Sequence, residues 1–349
     1  MFLCLSSGTR ARYRQDVLRA LAMPLGTELQ FRYDLKWIAP RIRDRLSDRT
    51  PVGIQALIAY VDQSDKSRTP ELVPCRFATV VDMQSHGTTA SLLLTLKEFG
   101  FAESLTAFRN ELQAVSAGTI PSWKQDQTIQ GFYWIDLGQE PRTVVKTTNF
   151  VDWEKIVGQI AGRADFQGEG CFYTTKLVEL RGAKTIPLTP EQRVYKLGAG
   201  RQFEFHIYHF HPIDVPPGTA LSFTSASDWL KFTTNTSIAF DSRYDLKRVR
   251  LRVGYPSTQE FSVITITCSK PSTGDSGFQF DLPIQISGTF WRTLGFGAAI
   301  GVLLAAQQIF AVWNNPNLPS KNAVVSTIAS LIIGLVTGVL ATFGLRKPV

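Results

Sequence analysis

Three rhythms of hydrophobic and polar positions follow one another along the chain. Over residues 1–120, alternating runs are interleaved with helical spacing. Met1–Leu5 reads as a short strand. Arg10–Ala22 puts Val17, Leu18 and Leu21 on one side and its arginines elsewhere, the spacing of an amphipathic helix. In Thr27–Ile38, Leu29, Phe31 and Tyr33 alternate with polar neighbours, which predicts a strand. A short basic helix is expected over Pro40–Leu46. Strands follow at Gly53–Val61, Arg76–Met83 and Ala90–Leu96. Leu105, Phe108, Leu112 and Val115 then return at helical intervals. Further on, Gly131–Leu137 and Cys171–Glu179 read as strands, and Asp152 is placed to cap a helix over Trp153–Ile160. Together these elements predict a mixed α+β domain over residues 1–185, with a sub-boundary near 120.

The rhythm changes at residues 186–290. Glycine, proline and serine turns separate short alternating runs: Gln202–Phe210, Thr219–Phe223, Trp229–Phe232, Val249–Val253 and Phe261–Cys268. In Phe278–Ile286, every second residue is apolar, which predicts one buried and one wet face. Such strands predict an antiparallel β-sandwich of immunoglobulin-like type.

From Thr293 the chain is almost wholly apolar or small. Thr293–Val312 and Ala323–Leu345 carry no formal charge and are each about long enough to cross a bilayer, so residues 291–349 are expected to form a two-helix transmembrane hairpin. Arg292, Arg346 and Lys347 flank the spans on one side, against Lys321 in the turn. That bias places both termini in the cytoplasm and the chain in the inner (plasma) membrane. Gly297 and Gly301, and likewise Ser330, Gly334 and Gly338, recur every four residues and are candidates for close helix packing, with Gln307 as a polar contact.

Charge sharpens this picture. The net charge is +8, and between Arg10 and Arg49 ten basic residues face five acidic ones. Arg10, Arg12, Arg14, Arg41 and Arg43 are therefore candidates for binding an anionic ligand or nucleic acid. Ser6-Ser7-Gly8-Thr9-Arg10 joins a strand to a basic helix, where free amides suit an anion, although the lysine of a phosphate-binding loop is missing. Arg248, Arg250 and Arg252 share one strand face and are candidates for a membrane surface. Cys4, Cys75, Cys171 and Cys268 form no CxxC pair. They indicate neither a zinc site nor a disulfide framework, and scattered thiols in a reducing compartment are the simplest account. His209 and His211 share a strand face but lack further ligands in sequence, so they are weak metal candidates and no cofactor is expected. No catalytic constellation stands out.

The expected function is that of a membrane-anchored, cytoplasm-facing binding or sensing protein. It would self-associate through its hairpin as a homo-oligomer, with the bilayer, an anionic ligand and a protein as its partners. This layout resembles membrane effectors of bacterial defence systems, in which a sensed signal leads to membrane perturbation. Two rival expectations are a membrane-tethered enzyme acting on nucleic acid, nucleotide or lipid headgroup, and a passive membrane scaffold.

Overall fold

A computed structural model describes residues 1–46, 53–116, 119–169, 171–269 and 277–289, with 298–299, 302–303, 305–306, 310, 324–334 and 336 beyond them. The amino-terminal region is built on strands β1 (Phe2–Ser7), β2 (Glu28–Asp34), β3 (Gln55–Asp62), β4 (Glu71–His86) and β5 (Thr89–Phe101). The short strands β6 (Ser122–Trp123), β7 (Ile129–Gln130), β8 (Trp134–Asp136) and β9 (Val145–Thr147) follow. Its main sheet runs β2-β5-β4-β3-β1-β8, with β9 on β5. All its pairings are antiparallel except β1 with β3, which are parallel. β6 and β7 pair only with each other, as a separate hairpin.

β1 is buried along its whole length, because both faces of the sheet are covered. Phe2 and Cys4 face one core and Leu3 and Leu5 the other. Helices α1 (Ala11–Ala22) and α4 (Phe150–Ala161) cover the first face, through Val17, Leu18 and Leu21 and through Trp153, Ile156 and Ile160. α3 (Leu105–Val115) covers the second through Phe108 and Leu112. α2 (Pro40–Arg45) lies against β8. Asn149, not Asp152, caps α4 by accepting from Val151 N at 3.0 Å; Asp152 instead accepts from Thr147 Oγ1 at 2.9 Å.

Two further sheets form a sandwich. One runs β11 (Lys184–Pro187), β10 (Tyr173–Arg181), β13 (Gln202–Phe210), β17 (Tyr244–Val253) and β15 (Leu230–Phe232). The other runs β12 (Tyr195–Leu197), β19 (Gln279–Ile286), β18 (Glu260–Ser269), β14 (Ala220–Ser225) and β16 (Ser237–Ala239). Their inner faces meet through aromatic contacts such as Phe205–Phe223 (5.2 Å between centroids) and Tyr173–Phe278 (5.5 Å). The regular alternation of β19 follows from this, since Phe280, Leu282, Ile284 and Ile286 all point inward.

α1 and α4 lie between the main sheet and the sandwich, touching β10 and β13 on the far side, so one apolar core runs through both layers. The carboxyl end of α1 is held from all sides. Its Ala20 and Met23 carbonyls accept from the buried Arg76 at 3.1 and 3.0 Å. Trp153 Nε1 donates to Leu21 O (3.3 Å), Thr175 Oγ1 to Ala22 O (2.9 Å), and Arg19 Nε to Gln279 O on β19 (2.9 Å). These contacts satisfy the carbonyls that a helix end leaves without partners.

Three expectations need correcting. First, the cysteines are not all scattered thiols: Cys171 and Cys268 form a disulfide across 97 residues, from the segment entering β10 to β18 in the opposite sheet. Spacing in sequence gave no sign of it, because the fold alone brings the two together. Cys4 and Cys75 are free and buried, and burial pushes the Cys75 thiol up to about 12. Second, the described chain is mostly β-sheet, so the α+β class ending in a two-helix hairpin does not describe it. Third, no helix among the described residues is long and apolar enough to cross a membrane, and the hairpin and inner-membrane placement are not supported. Crossing about 30 Å of hydrocarbon takes about 20 residues of continuous apolar helix, and no described helix provides them. Most of the first expected span and about half of the second, with Gly297, Gly301, Gln307 and Gly338, lie outside the described residues; Ser330 and Gly334 are described, and both are buried.

Candidate functional site

The parallel strands β1 and β3 end on the same side of the main sheet, and a cavity of about 380 Å³ opens there. This volume is in the range of small-ligand sites. Its floor is the end of β1, Leu5 to Ser7. β8 pairs with β1 only as far as Cys4, after which Leu5 N donates to Tyr133 O at 2.7 Å and the strand runs into the cavity wall.

One wall is α1. Arg10, Tyr13 and Asp16 recur every three residues and all line the cavity, forming one stripe along the helix. The Ser6–Arg10 connection leads into it, with Ser7 Oγ and Thr9 Oγ1 at 2.9 Å and Ser6 Oγ donating to Tyr13 O at 3.0 Å. No side chain caps the start of α1, and its first turn holds no acid, so the positive end of the helix dipole is left uncompensated there. Gly8 is required by close approach: a Cβ would lie 2.2 Å from the Asp165 side chain, which itself accepts from Tyr60 Oη at 2.8 Å.

The opposite wall is aromatic and basic. Phe31, Arg32, Tyr33 and Asp34 come from β2, and Lys36 and Trp37 from the turn after it. Tyr133 is fixed by its N–H to Trp37 O (2.7 Å), and its hydroxyl accepts from Gln63. The β6–β7 hairpin supplies Trp123 and Ile129 from above. The chain leaves the hairpin at Gly131 (φ +121°), where a Cβ would collide with the Ile120–Pro121 backbone at 2.8 Å. Trp123 Nε1 is buried without a hydrogen-bond partner, a donor left for whatever enters.

The cavity is cationic. Arg10, Arg32, Lys36 and Lys66 line it against Asp16 and Asp34. Three of these cations lie over rings: Arg10 by Tyr13 (5.9 Å), Lys36 by Trp37 (5.2 Å) and Lys66 by Trp123 (5.9 Å). Among the described residues none of the four makes an ion pair. Asp16 is only 5% exposed and accepts from Arg19 Nη1 at 3.2 Å. Burial raises its pKa to about 6, against the pull of Arg19 and Arg12.

The residues singled out from sequence are dispersed. Arg10 lines the cavity. Arg12 is exposed on α1, and Arg14 pairs with Glu169 at 3.8 Å. Arg41 and Arg43 are exposed on α2, away from the cavity lining. Arg248, Arg250 and Arg252 share the outer face of β17, but Glu204 accepts from Arg250 Nε at 2.7 Å and lies 3.8 Å from Arg248 Nε. His206 Nε2 also bonds Glu204, at 2.7 Å. His209 is buried and stacked on Phe240 (4.0 Å), while the His211 ring nitrogens lie 2.6 Å from Glu169 O and 2.8 Å from Ile213 O. Among the described residues, no three His, Cys, Asp or Glu side chains converge as metal ligands would. Sequence reading missed Asp16, although a polar residue on the inner side of α1 is a visible signal. Lys66 and Trp123 carried none, since only the fold brings their loops over the cavity.

No known protein family matches the chain. No curated protein matches it either. Among solved structures, part of it is similar to the class 5 fimbriae chaperone CfaA, at 13% identity and a TM-score of 0.22, over 27% of this chain and 54% of that one. The match spans about half of the chaperone's length and carries no argument here.

Proposed function

We propose that this protein is a ligand-binding sensor whose cavity takes a nucleotide. The observation that carries the reading is one cavity in which unpaired cations stand beside aromatic rings at the uncapped start of a helix. A phosphate is matched by Arg10, Arg32 and Lys36, with the positive end of the α1 dipole nearby. A base is matched by the faces of Tyr13, Trp37, Trp123 and Tyr133, because every base offers a π-face for stacking. The volume suits a mononucleotide better than a strand of nucleic acid.

The sensing part of the proposal rests on α1. Its amino end lines the cavity and its carboxyl end is bonded to the main sheet, α4 and both sheets of the sandwich. A ligand that bonds α1 therefore acts on an element both layers grip, and it biases their arrangement by its differential contacts.

Isothermal titration of the full chain with AMP, GMP, CMP and UMP tests the binding claim, with ribose 5-phosphate and inorganic phosphate alongside. At least one nucleotide is expected to bind in the micromolar range, and both controls at least tenfold more weakly. Arg10→Ala and Trp37→Ala should each weaken the best nucleotide about tenfold or more. Absence of nucleotide binding, or phosphate binding as tight as the best nucleotide, ends the proposal.

A further inference from the structure

We infer that Asp16 reads the edge of the bound base, and that the ligand is a guanine nucleotide. This rests on the nucleotide reading above and specifies it. The starting observation is an oddity of the cavity. Its rim is built for anions, yet a carboxylate that is almost wholly buried forms part of its wall. Asp34, the other acid in the lining, is exposed at the end of β2 beside Lys36 and needs no such explanation. Asp16 sits on α1, where its Oδ1 accepts from Arg19 Nη1 at 3.2 Å, and each of its two oxygens keeps an acceptor site for a ligand.

Helix geometry sets Asp16 at a definite depth. Arg10, Tyr13 and Asp16 lie along one stripe, and six residues of helix separate the first from the last by about 9 Å. That distance is comparable to a nucleoside monophosphate measured from its phosphate to the far edge of its base. With the phosphate at Arg10, the ring lies along Tyr13 and the base edge reaches Asp16.

The chemistry of the carboxylate selects the base. An ionised carboxylate only accepts hydrogen bonds, and its two oxygens match two donors side by side. Guanine presents such a pair, N1–H and the 2-amino group. Adenine and cytosine offer one amino donor next to a ring-nitrogen acceptor, which meets the carboxylate lone pair to lone pair. Uracil offers one donor between two carbonyl acceptors. A guanidinium or amidinium ligand has paired donors too, but it would bring positive charge into a cavity lined by four cations and two anions. A neutral donor pair joined to a phosphate answers both ends of the site. Burial raises Asp16 to about 6, so it remains largely ionised at pH 7.5 while its desolvation makes incoming donors valuable.

The test is a titration of the full-length protein with GMP, IMP and AMP at pH 7.5, for the wild type and for Asp16→Asn. IMP keeps N1–H and lacks only the 2-amino donor. The wild type is expected to bind GMP about tenfold more tightly than IMP and about a hundredfold more tightly than AMP. Asparagine presents one donor and one acceptor, so in Asp16→Asn the GMP-to-AMP ratio should collapse towards one. Equal binding of all three by the wild type overturns the guanine assignment and leaves the nucleotide reading standing. An unchanged ratio in Asp16→Asn removes Asp16 as the reader. Failure of all three to bind overturns the guanine assignment, and failure of CMP and UMP beside them removes the nucleotide reading as well. The wild-type comparison decides the assignment even if the variant folds poorly.

Discussion

Two buried carboxylates, one on the sandwich strand β13 and one on helix α1, stand in opposite electrostatic states. Glu204, on the outer face of β13, is about 1% exposed. Burial works against its charge, but hydrogen bonds from Arg250 and His206 outweigh burial and hold its pKa below the ordinary value. Asp16, in the cavity wall, has one guanidinium to bond, and burial carries its pKa up to about 6. The cations follow the same division. Arg248 and Arg250 are tied to Glu204, and Arg181 and Arg201 to Glu179. Arg10, Arg32, Lys36 and Lys66 make no ion pair among the described residues; Arg10, Lys36 and Lys66 stand against aromatic rings, and Arg32 Nη2 donates to Thr89 Oγ1 at 3.2 Å. A count of basic residues does not separate these regions. What separates them is whether each charge has been neutralised within the fold; the cavity's four cations are exposed, solvated and open to a ligand.

The largest effect is expected on the neutralised side. The Cys171–Cys268 disulfide closes a loop of 97 residues between the two sheets, and the chain-entropy relation assigns such a crosslink about 4.7 kcal/mol. Reducing it, or making Cys268→Ser, should lower the urea midpoint accordingly while leaving nucleotide affinity of the folded protein within about twofold. An unchanged midpoint after complete reduction would show that the crosslink does not stabilise the sandwich. Next comes Arg250→Ala, which strands most of the Glu204 charge. Arg250 is itself more than half exposed, so the expected loss is about 2 kcal/mol, less than for a fully buried pair. The depressed Glu204 pKa means that its contribution is present above the ordinary value of 4.5 and is lost as pH falls through the folded value. Arg250→Ala should therefore cost most near neutral pH and progressively less in acid.

Asp16→Asn should have the opposite sign. A carboxyl raised from 3.8 to about 6 holds its proton more tightly in the folded state, so its burial costs stability above about pH 6 and that cost fades as pH falls towards 4. The shift corresponds to at most about 3 kcal/mol. The loss of the charge-assisted bond with Arg19 reduces the gain, and the variant is expected to be more stable than the wild type by about 1 kcal/mol at pH 7.5. Between pH 4.5 and 7.5 its denaturation midpoint should also vary less with pH. A destabilised Asp16→Asn at pH 7.5 would place Asp16 with Glu204 as a structural carboxylate and dissolve the contrast.

The sequence made the strands and the basic start of α1 legible for a physical reason. Period-two alternation in β13 and β19 and helical spacing in α1 and α3 are local consequences of which face is buried. Other features depend on contacts that local rules do not contain. Asp152 looked like the cap of α4, but Asn149 fills that place because the chain enters the helix one turn earlier. Arg248 and Arg250 looked free because Glu204 is 44 and 46 residues away, and only the β13–β17 pairing sets them side by side. The cavity itself was half visible. The Ser6–Arg10 connection pointed to an anion, but Lys66, Trp123 and Tyr133 come from distant loops. The apolar tail shows the converse error: uncharged runs of spanning length were read as membrane helices, and no described helix is long and apolar enough to be one.

The smallest expected effect is the one that a count of basic residues would rank highest. Arg41 and Arg43 belong to the same basic stretch as Arg10, yet they are exposed on α2 and do not line the cavity. Charges beyond about 8 Å are largely screened at physiological ionic strength, whereas at 0.01 M the screening length grows to about 30 Å. The double variant Arg41→Glu/Arg43→Glu is thus expected to change GMP affinity by less than about threefold at 0.15 M salt and by more at 0.01 M. Arg10→Glu should weaken it more than tenfold at either salt concentration, because it acts by contact inside the cavity. Equal losses from the two substitutions at 0.15 M salt would mean that the ligand extends across α2. The site would then be a broad basic face, and the division between neutralised and reserved charge would have to be redrawn to include it.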